Sequence, residues 1–473
     1  MFNKIFKLKQ NNTNVKTELI AGFTTFMTMA YILAVNPSTL AAAGMDPTAV
    51  LLATCIASFL GTMCMAFMAN LPFVLSAGMG LNAFFAYTVV QNLGYPWQVA
   101  LFAVFIEGLI FILLSLTNVR EAIFNAIPTQ LKCAVSVGIG VYIAFIGLQN
   151  AGLSVFNPNT LVTIVSFREN FTTVGIGALL AIIGTIITAI LYIKNVKGSI
   201  LIGILATWVI GIVCQLIGIY EPGIYLPHPD TGVYQLVSEA STDTVLIPSL
   251  IPSFSMTDFS KLGETFGQCF MLDFSGISIF DFIVVIFSFL FVDLFDTLGT
   301  LIGVCTKANM LDENGKLAKI KPAMMADALA TTAGAVLGTS TTTTFVESSA
   351  GVAAGGRTGL TALVAAILFL LSMFFAPIFI AVPAFATAPA LIIVGFLMFS
   401  GISSLKLTEE NFTTAIPAYL CIIAMPLFYS IAEGISIGVI SYVIINLVCG
   451  KWKKISPVMY VLAVLFILKY IFL

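Results

Sequence analysis

Long apolar runs follow one another along this chain, and their length constrains the fold more than any other feature. Most runs have about 17 to 25 residues, which is the length of a helix that crosses a hydrocarbon core of about 30 Å. Only 9% of the residues are charged, whereas 59% are hydrophobic. A soluble domain carries about 25% charged residues. Because so few charges cannot cover a water-facing surface, we expect an integral membrane protein surrounded mostly by lipid.

The apolar runs divide into two sets of seven, separated by a polar stretch at 220–276. The first set lies at about 18–36, 48–69, 71–92, 96–117, 131–150, 171–193 and 198–219. The second lies at about 277–306, 322–338, 339–350, 358–377, 386–402, 412–431 and 433–449. A last apolar piece at 457–472 is short for a span, so the sequence leaves open whether it crosses and on which side the chain ends.

The distribution of Lys and Arg supports fourteen spans. Cytoplasmic loops of membrane proteins are enriched in these residues. If the N-terminus is cytoplasmic and the segments alternate, 17 of the 20 Lys and Arg fall inside. The others are Arg168, Lys261 and Lys469, the last of them in the C-terminal piece. A wrong number of spans would remove this bias of Lys and Arg toward one side. With fourteen spans, the acidic stretch 220–276 is extracellular.

The two halves resemble each other weakly. The tetrapeptide Asn-Phe-Thr-Thr opens segment six at 170–173 and segment thirteen at 411–414. Segments three and ten are both interrupted and rich in glycine or hydroxyl residues. With seven spans per half, the second half enters from the opposite side, as in secondary transporters. We therefore predict an all-α membrane protein of 14 transmembrane segments in a 7+7 inverted repeat, with short strands in the broken segments 3 and 10.

Composition argues against several classes of site. The net charge of -2 gives no basic face for nucleic acid. The eight cysteines form no C-x-x-C pair, and the only histidine, His228, lies in a loop. We therefore expect no metal, no disulfide framework and no cofactor. The basic start of the chain shows no small-residue cleavage pattern, so we expect no cleaved signal peptide.

A few acidic residues lie inside apolar segments, where ionisable groups are costly and usually functional. They are Glu107, Asp281, Asp293, Asp296, Asp327, Glu347 and Glu433. Asp281, Asp327 and Glu433 lie near segment ends, where a structural role is a ready alternative. Asp293 and Asp296 are three residues apart on one helical face, with no Lys or Arg in the span. Two ionised carboxylates this close together are costly in the low-dielectric membrane interior. A pair of which one can gain and lose a proton is suited to proton coupling.

Segment ten contains an unusual polar run. Six hydroxyl residues, Thr339 to Thr344, precede Phe345 and Glu347. Threonines in a row favour an extended chain, so we predict a short strand leading into a half-helix that begins near 347–351. Unwound backbone is tolerated in a membrane only where it is buried in protein or lines a cavity. The half-helix start would offer N–H groups to a ligand, with Glu347 at the junction and Phe345 as a stacking surface.

Segment three carries the matching interruption. Gly78 and Gly80 break the helix, and the Asn82 amide supplies both donors and an acceptor. Close helix packing is the alternative explanation for these glycines. Two crossing broken segments could hold a small, flat, polar molecule, such as a nucleobase. The candidate ligand contacts are Gly78, Gly80, Asn82, Asp296, Thr344, Phe345 and Glu347, and the candidate proton-coupling residues are Asp293, Asp296 and Glu347.

Five motifs together resemble the nucleobase:cation symporter-2 family, in its AzgA-like branch of hypoxanthine, guanine and adenine permeases. They are Gly22-Phe-Thr-Thr-Phe-Met-Thr-Met-Ala-Tyr31 with Asn36-Pro37, Ser76-Ala-Gly-Met-Gly-Leu-Asn82, Asp293-Leu-Phe-Asp296-Thr-Leu-Gly-Thr300, Thr341-Thr-Thr-Thr-Phe-Val-Glu347-Ser-Ser-Ala-Gly351, and Gly355-Gly-Arg-Thr-Gly-Leu-Thr361. By motif match, the resemblance implies that Asp296, Phe345, Glu347 and Asn82 contact the base. The family pattern stops near Lys454.

The resemblance also implies a division of the chain. A core domain comprises 18–117 (segments 1–4) and 277–377 (segments 8–11). A gate domain comprises 118–219 (segments 5–7) and 378–450 (segments 12–14). The rest is a cytoplasmic N-terminus at 1–17, an extracellular loop at 220–276, and a basic linker with the C-terminal hydrophobic segment at 451–473. Substrate binds between core and gate.

The expected protein is a secondary active transporter, not an enzyme, that imports purine nucleobases with protons across the plasma membrane. Sodium is the less favoured coupling ion, and the family suggests a homodimer. The alternative is an anion transporter or channel on the same fold, although two carboxylates would repel an anion. An intramembrane aspartyl protease is disfavoured because its Tyr-Asp and Gly-x-Gly-Asp contexts are absent. The preferred purine is left open.

Overall fold

A computed structural model describes residues 2–117, 127–157, 160–168, 171–227, 234–237, 245–247, 249–252, 255–307, 310, 317, 319–405 and 408–472. The described residues do not include Arg120, His228, Lys316 or Lys406, so the loop positions expected for them stay predictions. Helical structure dominates the described chain, and its elements follow the predicted segments closely.

Among the described residues before 220, nine α-helices are present. They are α1 (Phe2–Phe6), α2 (Val15–Met29), α3 (Ile32–Ala41), α4 (Pro47–Cys64), α5 (Met79–Ala83), α6 (Trp97–Leu116), α7 (Thr129–Asn150), α8 (Ile176–Ile193) and α9 (Ser199–Leu216). Three π-helical stretches extend α4, α5 and α8, at Met65–Ala69, Phe84–Asn92 and Phe171–Gly175. Segment one is divided into α2 and α3 by Ala30 and Tyr31, a break that the sequence did not predict.

Within the described part of the chain after the polar stretch, there are nine further α-helices. They are α10 (Ile279–Lys307), α11 (Ile320–Leu337), α12 (Ser348–Ala353), α13 (Gly359–Ser372), α14 (Ala376–Ile380), α15 (Ala384–Phe399), α16 (Phe412–Leu427), α17 (Ile431–Val448) and α18 (Pro457–Phe472). Short 3₁₀ turns lie at Leu8–Asn11, Phe259–Glu264, Gln268–Phe270, Met373–Phe375, Ser400–Ser404, Glu409–Asn411 and Trp452–Lys454.

Strands interrupt segments three and ten, as predicted. Strand β1 (Leu75–Ala77) precedes α5, and strand β7 (Thr342–Thr344) precedes α12. The predicted helical fold class is confirmed, and further strands are a minor addition to it. A hairpin joins β2 (Ser154–Asn157) to β3 (Leu161–Ile164), and strands β4 (Gly223–Pro227), β5 (Tyr234–Val237) and β6 (Val245–Ile247) form a sheet in order β5-β4-β6. These strands lie in connecting stretches rich in β-branched and aromatic residues, which favour extended structure.

The helices pack in two groups. In the first, α4 contacts α3, α11 and α13, while α6 contacts α10 and α11, and α2 contacts α13. In the second, α7 contacts α15, α16 and α17, and α8 contacts α9 and α15. Elements distant in sequence therefore interleave, because each group takes helices from both halves of the chain.

Nine helical stretches of the described residues are long and apolar enough to cross a membrane. The total of fourteen spans stays a prediction, since α5 and α12 are half-length and rely on the strands that precede them. The last helix, α18, lies beside α17. Lys469 pairs with Glu433 in the first turn of α17, and the Tyr470 hydroxyl donates to the same carboxylate. The end of one helix thus meets the start of the other, so the two run antiparallel.

A buried carboxylate caps the start of α13. Glu18 is fully buried and accepts hydrogen bonds from the backbone N–H of Arg357 (2.9 Å) and Thr361 (3.1 Å) and from the hydroxyls of Thr358 (2.8 Å) and Thr361 (2.7 Å). These contacts satisfy N–H groups that a helix start leaves unpaired. They give the Gly-Gly-Arg-Thr-Gly-Leu-Thr motif a structural role.

Candidate ligand-binding site

Strands β1 and β7 pair in antiparallel register at the crossing of the two broken segments. Leu75 lies opposite Thr344, and Ala77 lies opposite Thr342. The pairing continues beyond the strands, because the Phe345 N–H donates to the Val74 carbonyl and the Gly78 N–H donates to the Thr341 carbonyl, both at 3.0 Å. Each unwound segment therefore satisfies the backbone of the other, which makes non-helical structure tolerable inside a membrane protein.

A cavity lies beside this two-stranded ribbon, with about 480 Å³ of empty space that includes open solvent. The first helix group contributes Tyr31, Gly78, Met79, Gly80, Asp296, Thr300, Thr344, Phe345, Val346 and Glu347. The second group contributes Ile139, Ile143, Val394, Leu397 and Met398. The described lining contains two carboxylates and no Lys, Arg or His. Such a site favours a ligand that donates hydrogen bonds and lacks negative charge.

Glu347 lies at the junction between β7 and α12, as predicted, and is only 8% exposed. Its Oε1 accepts a hydrogen bond of 2.7 Å from the hydroxyl of Tyr31. Tyr31 occupies the break between α2 and α3, so an interruption in a third segment supplies this contact. One carboxylate oxygen is thus held by protein, and the side chain is fixed at the cavity wall.

Asp296 lies on α10 and also lines the cavity. The Thr343 hydroxyl is 3.4 Å from its Oδ2. Gly78 lies against the same two residues: a Cβ there would be 2.4 Å from Thr343 Cγ2 and 3.7 Å from Asp296 Oδ2. Glycine is therefore needed here for the chain after β1 to pack this closely against Thr343 of β7.

Gly80 lets the two helix groups approach each other. A Cβ at this position would lie 3.2 Å from Ile139 Cγ2 and 3.0 Å from Ile431 Cδ1, two side chains of the second group. Phe345 and Thr344 line the cavity from the ribbon side. Gly78, Gly80, Asp296, Thr344, Phe345 and Glu347 are thus brought together around one space.

Asp293 and Asn82 lie elsewhere. Asp293 is fully buried, and its Oδ1 is 3.0 Å from the Thr297 hydroxyl, which is also 2.9 Å from Asp327 Oδ1 and 3.1 Å from the Thr343 hydroxyl. Asp293 is therefore absent from the described cavity lining, although only one turn separates it from Asp296. This arrangement gives Asp327, which the sequence suggested could be merely structural, a place in a buried acid cluster behind the ribbon.

The Asn82 side chain lies within a buried polar network. Its amide nitrogen donates to Asn36 Oδ1 at 2.5 Å, and its oxygen accepts from the Ser340 hydroxyl. Asn36 in turn donates to the hydroxyls of Thr54 (2.7 Å) and Thr339 (3.1 Å). Asn82 therefore joins α5 to α3 and segment ten, and it is not among the described residues that line the cavity.

The start of α12 differs from expectation. The N–H groups of Ser348, Ser349 and Ala350 donate to the carbonyls three residues earlier, at 2.9 to 3.2 Å. These donors are occupied within the turn, so the expectation that they are open to a ligand is wrong in this conformation. The carboxylates of Asp296 and Glu347 are the principal charged groups that face the cavity.

Sequence reasoning missed Tyr31 and the aliphatic wall. A tyrosine in an apolar segment signals a buried hydroxyl that needs a partner, and that signal could have pointed to Tyr31. The wall residues Ile139, Ile143, Val394, Leu397 and Met398 carry no comparable signal, because aliphatic side chains are ordinary in membrane helices.

Comparisons with known proteins identify the family of this chain. The family model described as "Permease family" matches residues 16–437. The guanine/hypoxanthine permease PbuG of Bacillus subtilis is 45% identical over 477 residues, covering 99% of both chains. The adenine permease AdeP of Escherichia coli is 40% identical over 473 residues, covering 100% of this chain and 96% of its own.

Among solved structures, the transmembrane domain of the cyanobacterial bicarbonate transporter BicA has a TM-score of 0.62 at 14% identity, covering 89% of this chain and 97% of its own. That likeness concerns the fold alone. The family model and the relatives describe permeases, so the expectation of a multi-pass membrane transporter rather than an enzyme is confirmed. This chain belongs to the nucleobase:cation symporter-2 family of permeases.

Proposed function

We propose that this protein imports purine nucleobases, namely hypoxanthine, guanine or adenine, together with protons. The observation that carries the proposal is the pair of carboxylates, Asp296 and Glu347, that faces one cavity beside Phe345. Purine bases are flat and present ring or exocyclic N–H groups along their edges. Carboxylates accept such hydrogen bonds strongly, and an aromatic ring offers a face on which the base can stack.

Proton coupling would arise from the same acids. Asp296 is linked through the Thr343 hydroxyl to Thr297, which contacts Asp293 and Asp327. Acids this close in a buried region cannot all be ionised at low cost. In this proposal Glu347 and Asp296 bind the base, and the cluster of Asp293 and Asp296 gains or loses the coupling proton.

Movement of a core domain against a gate domain would carry the base across. The two helix groups support the boundaries proposed above, with 18–117 and 277–377 as core and 118–219 and 378–450 as gate. The cavity lies between them, and Val394, Leu397 and Met398 extend it toward the end of α15 that precedes the predicted cytoplasmic Lys406. We further propose a plasma-membrane location, a cytoplasmic N-terminus and a homodimer.

Uptake of radiolabelled hypoxanthine by cells that lack purine transport tests this proposal. Expression of the chain should restore uptake, and Glu347→Ala and Asp296→Ala should each reduce it at least about tenfold, because each removes a charge-assisted hydrogen bond. Glu264→Ala is the matched control, since that acid is exposed and pairs with Lys261. Normal uptake by both site variants would refute the site assignment.

A competition panel identifies the preferred purine. Unlabelled adenine, guanine and hypoxanthine compete with the labelled base, and the strongest competitor is the preferred substrate. Repeating the panel with sodium replaced by choline separates the coupling ions. We expect no loss of uptake without sodium.

The alternative is an anion transporter or channel, a function that the same fold serves in BicA. Two carboxylates at the cavity and occupied N–H groups at α12 both disfavour an anionic ligand. Bicarbonate- or chloride-dependent current in proteoliposomes, without purine transport, would support this alternative instead.

A further inference from the structure

A second cavity, which we call the vestibule, lies apart from the ligand-binding cavity. It contains about 1000 Å³ of unfilled space, including open solvent. Its lining is polar and aromatic, and consists of Tyr87, Thr88, Gln91, Asn92, Gln149, Asn150 and Tyr429. Four side-chain amides around one space are unusual in a chain in which hydrophobic residues make up 59%.

The vestibule and the central cavity are built on the same elements. Ile143 lines the central cavity and Asn150 lines the vestibule, and both belong to α7. Seven residues of helix separate them, which is about 10 Å. Gly80 likewise lines the central cavity and Thr88 lines the vestibule, and the two lie on α5 and its π-helical extension. The vestibule therefore lies about two helical turns from the central site, toward the predicted extracellular side.

An aromatic cluster forms part of the vestibule wall, where Tyr87 and Tyr429 line the space. The Tyr429 ring meets the rings of Tyr87, Tyr142 and Phe145 edge to face, with centroids 5.6, 5.4 and 6.1 Å apart. Tyr429 lies in the tight turn between α16 and α17 with a φ of 52°, a left-handed conformation that is uncommon for a non-glycine residue. The turn thus holds this side chain against both helix groups.

A hydrogen bond from Thr88 connects the two groups at this boundary, and a second from Tyr142 supports the same carbonyl from within the second group. The Thr88 hydroxyl donates to the Tyr429 carbonyl at 3.2 Å, and the Tyr142 hydroxyl approaches that carbonyl at 3.4 Å. Tyr87 and Thr88 follow β1 and α5, whereas Asn150, Tyr142 and Tyr429 belong to the second group. We call the Thr88–Tyr429 hydrogen bond and the Tyr87–Tyr429 ring contact the bracket, because both join the first helix group to the second.

We propose that the vestibule is a second binding site for planar hydrogen-bonding heterocycles, and that its occupant replaces the bracket contacts. The inference rests on the proposed function, because it takes purine bases as the ligand. The amides of Gln149 and Asn150 can each donate and accept, so they can pair with the edge of any purine. Tyr87, Thr88 and Tyr429 line the vestibule and also form the bracket, so a base bound there competes directly with the contacts that join the helix groups.

The chemistry of the two sites differs. The central cavity offers two carboxylates, whereas the described lining of the vestibule is uncharged. Neutral hydrogen bonds are roughly half as strong as charge-assisted ones. The vestibule should therefore bind purines more weakly and with less selectivity, as suits a site that a substrate occupies before reaching the central cavity.

Photolabelling with 8-azidoadenine tests the proposal in the purified full-length protein, with labelled peptides identified by mass spectrometry. We expect saturable labelling, competed by adenine, both in peptides of the central cavity and in those containing 87–92 or 149–150. The double variant Gln149→Ala/Asn150→Ala should lose only the vestibular label, and Glu347→Ala only the central label. Gln10→Ala, an exposed amide far from either cavity, is the matched control.

Transport kinetics provide a second measurement. The double variant should raise the KM for uptake about 3- to 10-fold, as expected for the loss of one or two neutral hydrogen bonds, while the central label persists. Absence of a saturable vestibular label in the wild type, or its persistence in the double variant, would overturn the inference. Absence of label in both cavities would instead contradict the proposed function.

Discussion

The hydroxyl of Tyr31 fixes the carboxylate that we propose as the main ligand contact. Tyr31→Phe removes only the 2.7 Å hydrogen bond to Glu347. A hydrogen bond to a charged group contributes about 1.5–3 kcal/mol, so we expect the KM for purine uptake to rise at least about tenfold. Tyr419→Phe, at a side chain that is 58% exposed, is the control. An unchanged KM would show that Glu347 keeps its position without Tyr31.

Gly78 is the residue at which backbone packing and ligand binding meet. In Gly78→Ala the new methyl group would lie 2.4 Å from Thr343 Cγ2. Overpacking of this kind costs about 1–3 kcal/mol, and it pushes β7 away from Asp296. We expect a lower melting temperature and loss of uptake. Gly263→Ala is the matched control, because no atom lies within 4 Å of its added Cβ; equal behaviour of the two variants would contradict this account.

At the level of single residues, the motifs in segments three, eight and ten contain most of the residues that line the cavity. They could not separate Asp293 from Asp296, because two residues one turn apart share a helical face in sequence terms. Only the position of β7 assigns Asp296 to the cavity and Asp293 to the cluster with Thr297. Asn82 was likewise recognisable as an intramembrane amide, but its hydrogen bonds to Asn36 and Ser340 depend on packing.

Among the helices, α18 is the element whose role the sequence left open. Its 16 residues span about 24 Å, somewhat less than a hydrocarbon core of about 30 Å. Lys469 and Tyr470 near its end can reach the interface, which offsets a short span. Phe466 packs against Phe291 of α10, with ring centroids 5.8 Å apart. Antiparallel packing on α17 therefore predicts a further crossing, with the C-terminus opposite the N-terminus.

Reporter fusions test this topology. Alkaline phosphatase, which is active only outside the cytoplasm, should be active when fused after Leu473 and inactive when fused after Gly450. A fluorescent protein that folds only in the cytoplasm should give the reverse pattern. Phosphatase activity at both positions, or at neither, would contradict a crossing by α18.

Most element boundaries were predictable because hydrophobic length and breaker residues mark them locally. The threonine run predicted β7, and the glycines predicted the interruption before α5. The break at Ala30 and Tyr31 was not predictable, since neither residue disfavours a helix strongly. At this break the Tyr31 hydroxyl donates to Glu347, a contact across 316 residues of sequence.

For the whole molecule, transport requires the two helix groups to move relative to each other, and the proposal couples that movement to protons. In proteoliposomes loaded at pH 7.5 and diluted into pH 6, a roughly physiological gradient, purine should accumulate inside against its own gradient. A protonophore should abolish accumulation, because the acids then exchange protons without a net driving force. Accumulation that persists with the protonophore but follows a sodium gradient would refute proton coupling.

The sequence by itself determined that the chain lies in a membrane, where its broken segments are, and which acids are too costly to be incidental. These properties follow from local composition, since hydrocarbon thickness sets span length and desolvation penalises charge wherever it occurs. Only the tertiary structure decided which of those acids share a cavity, that Tyr31 holds Glu347, and that aliphatic residues of α7 and α15 close the opposite wall. Those facts depend on contacts between distant segments, which no local pattern specifies.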